Sequence, residues 1–224
     1  ADTHCSFNGT TDCKDEEADT LKHRRLTGRI TAAALSAVMG CSGAFLYSAP
    51  PAYAAGYERV NGYYQMLDGT VIDGVVARGI DVSRWQGNID WNAVAADDVE
   101  FVMLGTRSKG AVDPYFHKNV KEASDAGVRV GAYIYSLATT PQMAVEEADF
   151  VLDLVKDYPI SFPIAFDAED SSTLGSLPPA QVTEIINAFC ERVEAAGYYP
   201  MVYANDYWLA NKIDMSNMHY DVWV

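Results

Sequence analysis

From Arg78 onward the chain alternates between short runs that are apolar throughout and longer runs in which apolar residues return every three or four positions. The short runs predict strands over Arg78–Ser83, Glu100–Arg107, Val128–Ser136, Phe162–Glu169, Tyr199–Ala204 and Tyr220–Val224. Several carry no polar face, the pattern of a strand covered on both sides in a parallel sheet. The longer runs predict helices. Asp113-Pro114 supplies an N-cap and first turn, with Phe116, Val120 and Ala123 on one face and Gly127 as terminator. Pro141 opens the next helix, striped by Ala144, Ala148, Val151, Leu152 and Val155. Pro178-Pro179 open a third, with Val182, Ile185, Ile186, Phe189 and Val193 inward and Gly197 past its end.

Repeated strand–helix–strand units imply parallel strands and right-handed crossovers, hence an open doubly wound sheet or a barrel. No phosphate-cradling glycine loop follows the first strand, so the nucleotide-binding version is unsupported. Acids and aromatics recur instead at strand C-terminal ends, where a β/α barrel builds its site. The expected fold is therefore α/β, a TIM-like β/α barrel of parallel strands. Six candidate strands fall short of a closed eight-strand sheet, and the pattern stops inside an apolar run at Trp223-Val224, so the barrel is expected to be incomplete in this chain.

The sequence before the barrel divides into three parts. Residues 1–29 are polar, acidic at first and then basic through Lys22, His23, Arg24, Arg25 and Arg29. Residues 30–57 carry no charge and end in Ala52-Tyr53-Ala54-Ala55, which reads as an export signal cut after Ala54. The same stretch is long enough to serve uncut as a membrane anchor with the basic flank inside, and Val38-Met39-Gly40-Cys41 offers a poor lipidation site as a third reading. All three place residues 58 onward outside the cytoplasm, extracellular or at the cell surface. Residues 58–77 form a lead-in, in which Asp68-Gly69 between β-prone flanks predicts a hairpin turn. It looks like a single copy of the aromatic hairpins that bind wall polymers, and a lone copy reads as a lead-in packed on the domain. The catalytic-type domain is expected over residues 78–224.

The four cysteines make no disulfide framework: Cys5 and Cys13 precede the signal, Cys41 lies within it, and Cys190 sits on a helix face as a buried thiol. With 31 acids against 16 Lys and Arg, a net charge of −15, the chain is a poor partner for nucleic acid. A neutral or mixed-charge polymer suits it better, and a monomer is the expected state.

The run Phe162-Pro163-Ile164-Ala165-Phe166 ends abruptly in Asp167-Ala168-Glu169-Asp170. Alternation along a strand points Asp167 and Glu169 the same way, roughly 6–7 Å apart. Two carboxyls in a dry pocket push their pKa values apart and leave one as acid and one as anion, the combination that cleaves glycosidic bonds. Asp81 lies opposite Ile80 and Val82 in the first strand, and Asp221 opposite Val222 in the last. Four acids converging from three strands would be costly without a task. Tyr133, Tyr135, Tyr203, Trp85 and Trp223 accompany them as faces for sugar rings, although each also serves as core. His4, His23, His117 and His219 lack ligand spacing, so no metal or cofactor is expected, and no G-x-S-x-G elbow supports a serine hydrolase.

Gly79-Ile80-Asp81-Val82-Ser83-Arg84-Trp85-Gln86-Gly87-Asn88-Ile89-Asp90-Trp91 resembles the opening motif of glycoside hydrolase family 25, lysozymes that act as N-acetylmuramidases. The similarity continues through Asp113-Pro114-Tyr115-Phe116 with Asn119, Gly127–Tyr133, Asp167-Ala168-Glu169 and Tyr220-Asp221-Val222-Trp223. The resemblance implies cleavage of the β-1,4 bond between N-acetylmuramic acid and N-acetylglucosamine in peptidoglycan strands. It also implies that Glu169 is the general acid/base and Asp167 its partner, with Asp81 and Asp221 completing an acidic floor and Tyr133 and Trp223 lining the sugar subsite. Ile134 stands where the family often has His or Trp. Glu169, facing an apolar wall and other carboxylates, is expected to hold its proton near neutrality. The 2-acetamido group would then attack the anomeric carbon with Asp167 orienting the amide; direct attack by an aspartate is the competing route. Two other functions share these residues: a catalytically silent barrel that binds wall glycan, and a glycosidase for another N-acetylated polysaccharide.

Overall fold

The computed structural model describes residues 57–224 apart from Lys109. The polar and basic region 1–29, the uncharged stretch up to Gly56, the signal or anchor assigned to it, and Cys5, Cys13 and Cys41 lie outside the described residues.

Strands β1 (Tyr57–Val60) and β2 (Tyr63–Met66) pair antiparallel as a hairpin. Their two-residue turn is Asn61-Gly62, with φ of +52° and +86°. A type I′ turn needs positive φ at both positions, which Asn tolerates and Gly adopts freely. Asp68-Gly69, the expected hairpin turn, forms as well: the Gly69 N–H donates to the Met66 carbonyl at 2.9 Å, the Met66 N–H to the Thr70 carbonyl at 2.8 Å, and Gln65 bridges Val71 antiparallel. The Asn61-Gly62 register puts Tyr64 on the inner face, where it is buried and donates its hydroxyl to Glu100 at 3.1 Å, while Arg59 reaches Asp98 at 3.0 Å. Asp98 and Glu100 precede the fourth strand, so the hairpin sits at the N-terminal end of the sheet.

The main sheet contains β3 (Gly79–Val82), β4 (Phe101–Gly105), β7 (Arg129–Tyr135), β8 (Ile160–Asp167), β9 (Pro200–Tyr203) and β10 (Asp221–Trp223), all parallel and adjacent in that order. A short ribbon of β5 (Arg107–Ser108) and β6 (Ala111–Val112) follows β4. Strand order matches chain order throughout, so every crossover steps the same way and there is no reversal point of the doubly wound kind. The result is a curled half-barrel of six strands, the incomplete α/β barrel that the pattern predicts. Among the described strands, β3 and β10 each have one neighbour in the sheet.

Helices α1 (Trp91–Ala96), α2 (Phe116–Asp125), α3 (Pro141–Val155), α4 (Pro179–Ala195) and α5 (Asp206–Asn211) fill the crossovers. The striped faces of α2, α3 and α4 are those expected, and they bury Val120, Ala148, Val151, Ile186 and Phe189 against Val102, Val130, Ile134, Ile164, Phe166 and Val202 of the sheet. Each such large side chain contributes about 1.5–3 kcal/mol when buried. Cys190 is a buried free thiol on α4. Helix α2 starts later than expected, and Asp113 does not cap it. Its carboxylate, almost fully buried, accepts the N–H groups of Arg84 at 2.8 Å and Tyr115 at 2.9 Å, tying the loop after β3 to the start of α2.

The other face of the sheet holds a smaller cluster of Met103, Ala165, Met201 and Trp223, with Phe101, Tyr133, Phe162 and Tyr203 packed against it. Phe101 stacks on Phe162 with ring centroids 4.3 Å apart and closes the N-terminal end of this concave face. No helix of the described residues is long and apolar enough to cross a membrane.

Candidate active site

Strand alternation sorts the site residues before any loop contributes. Ile80, Val82, Ile134, Ile164, Phe166, Val202 and Val222 face the helices. Asp81, Tyr133, Tyr135, Asp167, Tyr203, Asp221 and Trp223 occupy the alternate positions and face the concave side. Register then sets height. Asp167 is level with Tyr135 on one side and Tyr203 on the other, and Tyr203 with Trp223, so these four form one row at the C-terminal rim.

Asp167 is buried, and its Oδ1 has no hydrogen-bond partner among the described residues. Burial first, then the charges of Glu169 and Asp81, push its carboxyl up to about 8. Asp81 is raised as well, chiefly by burial. Tyr203 is pushed up to about 12 by burial and by Glu169, Asp167 and Asp81 together. Tyr133, whose hydroxyl lies beside Ser83, is raised beyond the ordinary tyrosine range by burial and by Asp81, with Asp167 and Asp113 adding to it. Asp81, Asp167 and Glu169 therefore share one field. The bare backbone of Gly105 makes room for this: a Cβ there would lie 3.0 Å from both the Ser83 Cβ and the Tyr133 hydroxyl.

Glu169 stands beyond the end of β8, half-buried, and accepts the backbone N–H of Asn205 at 2.7 Å. The carboxyl that burial and neighbouring charge raise into the neutral range is Asp167. The deeper of two neighbouring carboxyls loses more hydration, and strand position makes Asp167 the deeper one.

Asp221 is not brought into this group. It is level with Met201, two residues short of Trp223, and its carboxylate accepts the hydroxyl of Tyr199. The charges acting on Asp167 are those of Glu169 and Asp81. The expected acidic floor is thus three carboxyls with Asp221 set aside on its own partner.

Aromatic walls close the concave side. Trp223 is buried, with Tyr203 4.7 Å away and tilted and Tyr133 6.2 Å away edge-on, and its Nε1 has no partner among the described residues. Tyr135 keeps an exposed ring while its hydroxyl donates to Asp170 at 3.0 Å. Trp85 stands 79% exposed in the loop after β3. Among the described residues no group of three His, Cys, Asp or Glu side chains is placed to hold a metal ion.

Several supports were absent from the sequence reading. Asn205 caps α5 by accepting the Trp208 N–H at 3.1 Å, and the same turn presents its own N–H to Glu169; the Asn-Asp pair before an aromatic turn is the signal that marks it. Asp170 is held at about 2: burial opposes this, but the hydroxyls and N–H groups of Ser172 and Thr173 and the Tyr135 hydroxyl outweigh it. Glu147 is buried on α3, pairs with Arg107 at 2.6 Å and takes hydrogen bonds from the Ser136 hydroxyl and the Leu137 N–H. Removing one partner of such a buried pair costs about 3–5 kcal/mol, so this network fixes the loop after β7 beside the rim.

Comparison with known proteins places this geometry. The sequence matches the family Glycosyl hydrolases family 25 over residues 80–224. It is 32% identical over 134 residues to the uncharacterized protein YegX of Escherichia coli O157:H7, a match covering 56% of this chain and 47% of that protein. The chain thus spans about half the length of the YegX relatives. Its fold is similar to the modular autolysin LytC of Streptococcus pneumoniae, at 23% identity and a TM-score of 0.61, covering 73% of this chain and 41% of LytC. LytC has also been solved in complex with a synthetic peptidoglycan ligand. A family 25 glycosyl hydrolase from Bacillus anthracis superposes at 21% identity and a TM-score of 0.58, covering 77% of this chain and 75% of that one. Three carboxyls on the rim of a singly wound half-barrel agree with the sequence match, and the chain belongs to glycosyl hydrolase family 25.

Proposed function

We propose that this chain is a peptidoglycan hydrolase of the lysozyme type, cutting the β-1,4 bond between N-acetylmuramic acid and N-acetylglucosamine. The observation that carries the reading is Asp167, a buried carboxyl raised to about 8 with an unpartnered oxygen, beside Glu169 and Asp81 on an aromatic-walled rim. The family membership and the peptidoglycan complex of the similar autolysin support the substrate.

The mechanism follows from where the carboxyls stand. Asp167 and Glu169 are coupled, so the proton belongs to the pair: it rests on Asp167 before substrate binds, and the amide N–H of a bound sugar, donating to Asp167, favours the anion there and leaves the proton on Glu169. Glu169, nearer the mouth, delivers a proton to the glycosidic oxygen as the bond to the anomeric carbon breaks. The 2-acetamido oxygen of the same sugar forms the replacing bond and leaves a positive charge on the amide. Asp167, hydrogen-bonded to the amide N–H, is the anion that offsets it, and Asp81 adds negative potential beneath. Water, deprotonated by Glu169, then attacks the anomeric carbon and restores the acetamido group, with net retention. The Trp223 indole N–H and the Tyr203 ring line the same face and can hold the sugar.

Replacing Glu169 by Gln keeps volume and hydrogen-bonding shape but removes the proton. We expect Glu169→Gln to abolish release of reducing ends from purified peptidoglycan with an unchanged melting temperature. An active, folded Glu169→Gln protein would overturn the assignment and favour a glycan-binding role or a different acid. Secretion or surface anchoring through residues 30–57 is part of the same proposal, since the substrate lies outside the cytoplasm.

A further inference from the structure

The loop after β3 carries a feature that the cleavage mechanism leaves unused. Of the described arginines, Arg59, Arg78, Arg107, Arg129 and Arg192 each lie within ion-pair distance of a carboxylate. Arg84 pairs with none of the described ones. That is unusual in a chain with 31 acids and 16 Lys and Arg. Arg84 is nonetheless held from both ends. Its backbone N–H is fixed by buried Asp113 at 2.8 Å, its guanidinium lies 4.2 Å from the ring centre of Trp85, and Nη1 donates to the Ser108 hydroxyl.

This places an oriented cation three residues beyond Asp81, next to Ser83, which borders the Tyr133 hydroxyl across Gly105. Trp85 offers an exposed aromatic face in the same loop. A flat apolar surface joined to a preset guanidinium suits a sugar that carries an acid, because the ring stacks on the indole while the fork takes the carboxylate.

We propose that Arg84, supported by Trp85, is a specificity residue that reads a carboxylate on the glycan bound at the rim. It separates an acid-bearing N-acetylated polymer from a neutral one of the same backbone. The inference rests on the proposed glycan-cleaving reading. Two parts of such a polymer carry the chemistry: a lactyl ether on the sugar, and the carboxyl groups of a peptide attached to it.

The test uses the full chain and three substrates: peptide-free glycan strands with lactyl carboxylates, the same strands with those carboxylates converted to methylamides, and strands retaining their peptides. Hydrolysis is followed as kcat/KM, and binding by tryptophan fluorescence in the Glu169→Gln background. The native chain is expected to prefer the acid strand over the amide by about tenfold, the scale of one charge-assisted hydrogen bond. Arg84→Gln should erase that ratio, and Arg84→Lys should retain part of it. A preference seen on peptide-free strands assigns the lactyl group, and one seen only with peptides attached assigns the peptide carboxylate. Equal use of all three substrates by the native chain, or an equal loss on all three in Arg84→Gln, overturns the proposal. If the native chain cleaves none of the three, the cleavage reading fails, while the ratio of binding constants still decides the role of Arg84.

Discussion

Replacing Asp167 by Asn should make the protein more stable and less active, with the gain in stability growing as pH rises. Asp167 is raised to about 8 in the folded chain by burial and by Glu169 and Asp81, against about 3.9 for an unfolded aspartate. Between those values the folded chain holds a proton that the unfolded chain has released. Stability therefore falls as pH rises from about 4, and the loss is complete only above the folded value. A shift of about four units at about 1.36 kcal/mol each sets a ceiling of roughly 5–6 kcal/mol. Because Glu169 and Asp81 share the effect, we expect Asp167→Asn to gain about 1–3 kcal/mol at pH 8 and close to nothing at pH 4. Urea denaturation at pH 4, 6 and 8 measures it. Activity on peptidoglycan should drop about 10²–10⁴-fold in kcat, the scale of a lost acid–base or electrostatic group. If the stability difference between the two proteins were the same at pH 4 and pH 8, Asp167 would not be the buried proton holder and the account of the rim would be wrong.

The placement of the remaining acids predicts an asymmetry: Asp81→Asn should lower kcat more than Asp221→Asn, since Asp81 acts on Asp167 and Asp221 is occupied by Tyr199. Parallel kinetics of the two variants check this, and an Asp221→Asn loss equal to that of Asp81→Asn would return Asp221 to the reacting group. For export, a reporter fused after Val224 should be active outside the cytoplasm, because Lys22, Arg24, Arg25 and Arg29 all precede the uncharged stretch. Reporter activity confined to the cytoplasm would count against it.

The strands were legible because a parallel strand covered on both faces is written as an uninterrupted apolar run, and Ile164 to Asp167 or Val202 to Tyr203 can hardly be read otherwise. Helices α1 and α5 were not, since six residues are too few to show a period. A cap alone, Asp90 for α1 and Asn205 for α5, marks each of them. Asp113 before Pro114 looks locally like a helix cap, yet its partners include the Arg84 N–H, 29 residues earlier, and only tertiary packing brings that donor within reach. Asp68-Gly69 is legible as a turn and forms one, while Asn61-Gly62 closes the hairpin that buries Tyr64 against Glu100.

For the candidate site, the period of two settled which face an acid occupies but not its height on that face. Asp167 and Asp221 both point into the concave side, yet sheet register sets Asp167 level with Tyr203 and Asp221 level with Met201. Asp167 stands beside Glu169 with an unpaired oxygen, and lost hydration first, then the charges of Glu169 and Asp81, raise it. Asp221 accepts the Tyr199 hydroxyl, and burial first, then this bond, raises the tyrosine. The same residue type in the same alternating pattern thus becomes a proton store in one strand and a structural acceptor in another. The proton store lies beside Glu169, where a cleavage reaction can draw on it.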